Sequence, residues 1–217
     1  MKSRLDFFLE YFPSINSTHI YLLNKLKVSN DIRPTIVLAK KQTKSIGSRG
    51  NSWISLEGNL FFSLCFDMKY LPSDLKINSS SIYFSMIIKL TLAKLGSKAS
   101  VKWPNDLYLN DKKIAGIICE FNKNSIIVSM GINTKYAPIG FESLDINISP
   151  KKLLELFVED LIVFHSWKNI FNEFRIEFAN NRDKSFHYKN KKYFFQDVVL
   201  CNDGSIMLEN NKVYSIR

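Results

Sequence analysis

At 217 residues with 46% hydrophobic side chains, the chain is long enough to bury one substantial core with at most a small appendage. No apolar run reaches the ~18 residues of a membrane span, and the two acids of "DFFLEYFP", with no small-residue cleavage site after them, exclude a signal peptide. The net charge of +10 comes mostly from dispersed lysines without a helix-turn-helix, finger or RNP-like motif, so it reads as a solvated surface or a face for an acidic protein partner rather than for DNA. Cys65, Cys119 and Cys201 lie scattered in apolar runs and read as reduced core thiols of a cytoplasmic protein, and His19, His165 and His187 make no metal spacing with them.

In chain order, Leu5, Phe7, Phe8 and Tyr11 predict a short first strand ending at Pro13, and Ser17 or Thr18 caps a helix running to about Leu26. "TIVLAK" and "NLFFSLCFDM" predict two buried strands. Between them lies "TKSIGSRGNSW", residues 43–53, where Gly47 and Gly50 free the backbone and Lys44 and Arg49 add charge. Such a segment is either a plain surface turn or a loop that aims backbone N–H groups at an anion; it lacks the spacing of a P-loop. From Ser79 to Leu95 the apolar residues Ile82, Tyr83, Met86, Ile87, Leu90 and Ala93 recur at helical spacing, and Gly96 follows where a helix terminator belongs.

Pro104 keeps Trp103 out of helical geometry. "LYL" and "KKIAGIICE" then predict two strands joined by a tight hairpin at Asn110-Asp111, and "SIIVSMGIN" predicts another strand. Ser149-Pro150 opens a helix carried on by Leu153, Leu154, Phe157, Val158, Leu161 and Phe164; Trp167, Ile170, Phe171, Phe174 and Phe178 mark the next. From about Ser185, "YFFQDVVLC", "SIMLE" and "KVYSI", with turns at Asp203-Gly204 and Asn210-Asn211, predict a small terminal β-unit. The expected fold is α+β around a mixed sheet, with a main body over residues 1–184 and the terminal unit over 185–217.

Strict alternation along "KKIAGIICE" puts Lys113, Ala115, Ile117 and Cys119 on one face and Lys112, Ile114, Gly116, Ile118 and Glu120 on the other. Either one lysine points inward, where an anion must meet it, or both lie at the strand entrance and snorkel. Gly116 permits the close approach of a ligand or of another backbone.

Together, "NSTHIYLL", "KKQTKSIGSRGNSW", "GNLFFSL", "VKWPNDLYLNDKKIAGIICE" and "MGIN" occur in the order and spacing of the biotin–protein ligases, and "KWPND" followed by "KKIAGI" is the most specific part of the match. The resemblance runs from about Asn16 to Asn133. It implies a class II synthetase-like fold that joins the carboxylate of biotin to the α-phosphate of ATP with Mg²⁺, then passes the biotinyl group to a lysine of a biotin carboxyl carrier protein, with no protein metal ligands and no covalent enzyme intermediate. By the same resemblance Ser17, Thr18, Gln42, Gly47 and Gly116 face biotin, with His19 where the family usually has Asn, and Lys113 is the catalytic ammonium. Ser48, Arg49, Gly50 and Trp53 close over the adenylate, Ser48 standing for the usual Arg and Arg49 displaced from it by one position. Lys102, Asn105 and Asn133 are nucleotide-side candidates, and Asp106 is structural or serves the acceptor lysine. The family often dimerises. A lipoate or octanoate ligase of the same fold is the enzymatic alternative. A biotin-responsive repressor is disfavoured, because sixteen residues precede Ser17 where a winged helix-turn-helix takes roughly 60.

Overall fold

The structure is a computed structural model describing residues 5–28, 33–189 and 191–214. Its centre is a sheet built from β1 (Phe8–Phe12), β2 (Thr35–Ala39), β3 (Leu60–Asp67), β4 (Ser100–Lys102), β5 (Asp106–Leu109), β6 (Lys112–Asn122) and β7 (Ser125–Ile132). The seven strands lie in the order β1-β2-β3-β7-β6-β5-β4. Only β1 and β2 run parallel; every other neighbouring pair is antiparallel. β2 is buried at every position and β3 at all but its last, because helices cover both faces of the sheet.

Helix α1 (Thr18–Val28) covers one face, packing Leu22 and Leu26 on Val37, Cys65 and Ile127. The other face carries the main core beneath α2 (Ser80–Lys94), α3 (Pro150–Leu161) and α4 (Trp167–Ala179). α2 is buried nearly all round, lying between the sheet and the two later helices. Local chemistry sets the element ends. The Ser149 hydroxyl accepts from the N–H of Lys152 with Pro150 in the first turn. Gly96 takes φ +90 after α2, and Asn110 and Asp111 take φ 46 and 64 in the two-residue turn between β5 and β6. Phe164 does not continue α3: the helix ends at Leu161, and Phe164 turns through φ 48 to set its ring 5.9 Å from that of Phe66 in the core. Among the described residues no helix is long and apolar enough to cross a membrane.

The terminal residues form a two-stranded sheet, β8 (Ser185–Tyr188) with β9 (Lys191–Phe194), and a three-stranded one of β10 (Val199–Leu200), β11 (Ile206–Leu208) and β12 (Asn211–Val213). The single strand expected over "YFFQDVVLC" is cut by a 3-10 turn at Phe195–Asp197. The reason is Phe195, which dives into the core, fully buried and stacked 4.8 Å from Phe186. The Trp103 indole donates to the carbonyl of Gly204 (2.9 Å), that of Trp167 to Asn202 (2.9 Å), and the hydroxyl of Ser79 to Asp203 (2.7 Å). At the β4 edge, Val101 N–H donates to Glu177 Oε2 (2.9 Å) and its carbonyl accepts from Asn181 Nδ2 (3.1 Å). Lys89 pairs with the other oxygen of Glu177 at 2.9 Å.

Candidate active site

The site begins with one irregularity in the sheet. Asp106 and Leu107 pair with Gly116 and Ala115, but Tyr108 and Leu109 pair with Lys113 and Lys112, leaving Ile114 as an extra residue. This bulge resets the alternation of β6. Lys113 therefore shares a side with Gly116, contrary to the strict two-residue period: a Cβ added at Gly116 would stand 3.4 Å from both Cε and Nζ of Lys113. The Lys113 ammonium is 2.7 Å from Asp106 Oδ1 and 5.6 Å from the centroid of the Trp53 ring. Lys112 stays at the strand entrance with its side chain largely in solvent.

Gly116 lies opposite Gly131 on β7, and the missing side chains make a shallow seat for Trp53. A Cβ at Gly131 would come within 2.7 Å of the Trp53 indole nitrogen, and one at Gly116 within 3.2 Å of Cζ3. The buried indole N–H has no hydrogen-bond partner on this seat. Trp53 ends the Gly-rich loop, whose two sides are tied by the Gly47 N–H donating to the Asn51 carbonyl (2.6 Å) and by a bridge between Ile46 and Ser52. The Ser45 hydroxyl donates to the carbonyl of Trp53. Ser48–Gly50 is a single 3-10 turn at the tip.

On the other side of Trp53, polar groups line up across three strands. Gln42 Oε1 accepts from Thr18 N–H (2.8 Å), Thr18 Oγ1 meets Ser63 Oγ (2.7 Å), and Ser63 meets Ser129 (2.6 Å). Ser129 meets His19 Nδ1 (2.8 Å), and His19 Nε2 meets Glu120 Oε2 (2.7 Å).

Two contiguous cavities occupy the space around these groups. The smaller, about 40 Å³, is lined by Ser17, Thr18, Gln42, Trp53, Gly116 and Gly131. The larger, about 610 Å³, is lined by Lys102, Asn105, Tyr108, Glu120 and His187 among others. His19, Gly47, Ser48, Asn105, Asp106 and Lys113 form the common wall. The larger cavity sets two lysines, Lys102 and Lys113, beside two carboxylates, Asp106 and Glu120. Burial holds the Lys102 ammonium below its ordinary value, with Lys184 and Lys113 adding to it, while Asp106 and Asp111 oppose it. Burial, with the charge of Asp106, pushes the Tyr108 phenol up to about 12. An anion placed beside Lys102 would offset the burial of its ammonium.

Of the residues singled out in the sequence, Ser17, Thr18, His19, Gln42, Gly47, Ser48, Trp53, Lys102, Asn105, Lys113 and Gly116 line one or both cavities. Gly50 lies exposed at the loop tip with φ +75, and the side chain of Arg49 is outside the described residues. Asn133 lines neither cavity; it is fully buried, its amide donating to the carbonyl of Glu142 (3.1 Å) and accepting from Asn59 (3.4 Å). Sequence reasoning missed Ser63 and Ser129, and took Gly131 only as part of "MGIN" at the end of a strand. Each left a signal, a lone serine or glycine inside an apolar strand. Among the described residues no group of three His, Cys, Asp or Glu is placed to hold a metal ion.

The chain is 36% identical over 134 residues to the bifunctional ligase/repressor BirA of Escherichia coli, a match covering 56% of this chain and 39% of that protein. It is 30% identical over 113 residues to the biotin–[acetyl-CoA-carboxylase] ligase of Paracoccus denitrificans, covering 47% of this chain and 45% of the relative. The match thus spans less than half the length of either protein. Among solved structures, the biotin acetyl coenzyme A carboxylase synthetase of Helicobacter pylori with bound biotinylated ATP superposes with a TM-score of 0.89 at 32% identity, over 95% of this chain and 98% of that one. The biotin protein ligase of Aquifex aeolicus in complex with biotin and ATP shares the fold at a TM-score of 0.75 and 23% identity, over 96% and 95% of the two chains. A sequence model of one family matches residues 11–135, more than half the chain and the stretch from the end of β1 through β7 to Asn133, and on that match the chain belongs to the biotin/lipoate A/B protein ligase family.

Proposed function

We propose that this chain is an ATP-dependent biotin ligase that forms biotinyl-5′-AMP and transfers the biotinyl group to a lysine of a biotin carboxyl carrier protein, of acetyl-CoA carboxylase or a related carboxylase, in the cytoplasm. The observation that carries the reading is the place of Lys113, whose ammonium stands in the wall shared by a small polar pocket and a larger cavity that also holds Lys102. A carboxylate and a nucleotide triphosphate repel each other, and a fixed ammonium between their two compartments cancels that repulsion where little water enters.

In this reading biotin takes the smaller pocket and ATP the larger cavity. The carboxylate oxygen attacks the α-phosphorus, its bond to diphosphate breaks, and Lys113 holds the charge that builds on the phosphoryl oxygens. In the second step the acceptor amine attacks the acyl carbon and AMP leaves. Mg²⁺ bound to the nucleotide phosphates supplies further charge neutralisation. The residues fit a metal carried in this way, because Mg²⁺ needs only one or two carboxylates beside its phosphates and Asp106 lines both cavities. Asp106 also holds Lys113 in the absence of substrate. The small pocket, at about 40 Å³, is far below the ~300 Å³ at which ligand sites begin, so biotin enters only as Trp53 leaves its glycine seat.

Biotin is favoured over lipoate and octanoate by the hydroxyls and amide of Ser17, Thr18 and Gln42 in the small pocket. A cyclic urea pairs with such groups, whereas a dithiolane or an alkyl chain leaves them buried and unpaired. The test incubates the protein with MgATP, a carrier domain and each of the three acids in turn, then weighs the carrier. A gain of one biotinyl group is expected with biotin alone; a gain with lipoate or octanoate and none with biotin overturns the reading.

A further inference from the structure

The terminal hairpin of β8 and β9 has two unlike faces. Phe186 pairs with Tyr193 across it, and their stacked rings (5.9 Å) lie on the core side, where Phe186 also meets Trp103 and Phe195. The alternate positions, Ser185 opposite Phe194 and His187 opposite Lys192, therefore share the other face. That face is open. His187 and Lys192 are exposed, and Phe194 keeps 39% of its surface in solvent with the Lys192 ammonium 5.3 Å from its ring centroid. Ser185 and His187 also line the larger cavity, so the face runs on into the cavity rim. Its charge has one sign. Lys189, Lys191 and Lys192 crowd the hairpin end, and no Asp or Glu occurs from Ser185 to Phe194; the nearest acids, Asp183 and Asp197, lie outside it. Lys184, just before the hairpin, and Lys212, on β12, are each met by an aspartate, at 2.9 and 2.7 Å. Among the described residues Lys189, Lys191 and Lys192 pair with no carboxylate.

We propose that this face of the hairpin is the docking surface for the carrier domain, which sets an acidic side of itself on the lysines while its target lysine enters the larger cavity past His187. The proposal rests on the ligase reading above and deepens it by naming where the protein substrate sits. A lysine on a folded domain reaches into a cavity only as far as its own stem, so the body of the domain has to rest on the rim. The outer face of β8 and β9 is rim surface of that kind, exposed and continuous with the cavity lining. Lysines whose charge no carboxylate offsets steer an acidic partner towards them and fix its orientation. The ring of Phe194 and the stem of Lys192 give the contact an apolar centre beneath those charges.

Charge reversal in the full chain, Lys191→Glu with Lys192→Glu, tests this. Neither residue lines a cavity, so biotin-dependent ATP–diphosphate exchange, which needs no carrier, is expected to stay within about twofold of wild type. In transfer to a biotin carboxyl carrier domain at low salt, KM for the carrier is expected to rise about tenfold. That gap should close in about 0.5 M NaCl, where exposed charges are screened. Phe194→Ser is expected to raise the same KM at both salt concentrations, because an apolar contact is not screened. Should the reversed pair disturb folding, seen as a fall in exchange, Lys191→Gln with Lys192→Gln removes the charge without adding any, and a rise of about threefold at low salt is expected of it. A carrier KM unmoved in the charge variant and in Phe194→Ser, with exchange intact, overturns the proposal. Loss of self-association in the charge variant by light scattering, with transfer unchanged, also overturns it and gives the face to a second copy of the chain. The ligase reading fails separately, if the wild type catalyses no biotin-dependent exchange.

Discussion

Lys113 owes its position to one extra residue in a strand. With Ile114 unpaired, the ammonium comes round to the side of Gly116 and meets Asp106 at 2.7 Å. Lys113→Ala is expected to lower biotin-dependent exchange by ~10²–10³, the usual cost of removing one preorganised group from a developing phosphorane. Biotin binding by calorimetry should change far less, because Thr18 and Gln42 in the small pocket are untouched. Lys102 makes the opposite demand on the fold. Burial depresses its pKa in the folded state, so between that value and the ordinary lysine value the unfolded chain binds more protons and stability rises with pH. Below that window the charged ammonium is a net penalty on folding. Lys102→Met keeps the length and removes the charge; it is expected to raise Tm while raising KM for ATP by roughly 10–100-fold, the worth of a charge-assisted hydrogen bond. Thermal denaturation and exchange kinetics on the same sample check both halves.

Among the elements, the Gly-rich loop is the one that has to change. Its own bonds close it into a compact turn, and among the described residues the Trp53 ring makes its deep apolar contact, on the Gly116–Gly131 seat, where the indole N–H has no partner. Trypsin is expected to cut after the exposed Lys44 in the free protein and to be blocked when biotin and MgATP are both present. Equal cutting rates with and without substrates would show that the loop does not move over them. The elements that could be read in advance are those whose ends are set by neighbouring residues: Ser149-Pro150 opening α3, Gly96 closing α2, Asn110-Asp111 turning β5 into β6. Features set by distant residues could not be read. The bulge at Ile114 depends on how β6 registers with β5, the reversal at Phe164 on a place beside Phe66, and the break at Phe195 on a pocket made by Phe178 and Phe186. The same division holds for the site. Lys113, Thr18 and Gln42 sit in recognisable local motifs, whereas Ser63 and Ser129 gain meaning only when β3 and β7 lie side by side.

At the scale of the whole molecule, the terminal strands are tied to the site by one aromatic cluster. Trp103 lies 5.6 Å from Phe186 and 6.4 Å from Phe195, and the neighbours of Phe186, Ser185 and His187, line the larger cavity. Phe195→Ala is expected to cost about 3–5 kcal/mol of stability and to raise KM for ATP as Trp103 loosens. Denaturant melts and exchange kinetics read the two effects, and a variant that loses neither would separate these strands from the site. The other extremity of the molecule is the sheet margin at β4. There the side chains of Glu177 and Asn181 consume the outward N–H and C=O of Val101. Among the described residues the seven-stranded sheet ends at β1 and β4, and this bonding seals the β4 margin at Val101. At the other end β1 carries the exposed rings of Phe8 and Tyr11. A margin closed by side chains at Val101 offers a passing strand no backbone partner there, so the sheet stops at β4 and is no template for further strands at that end.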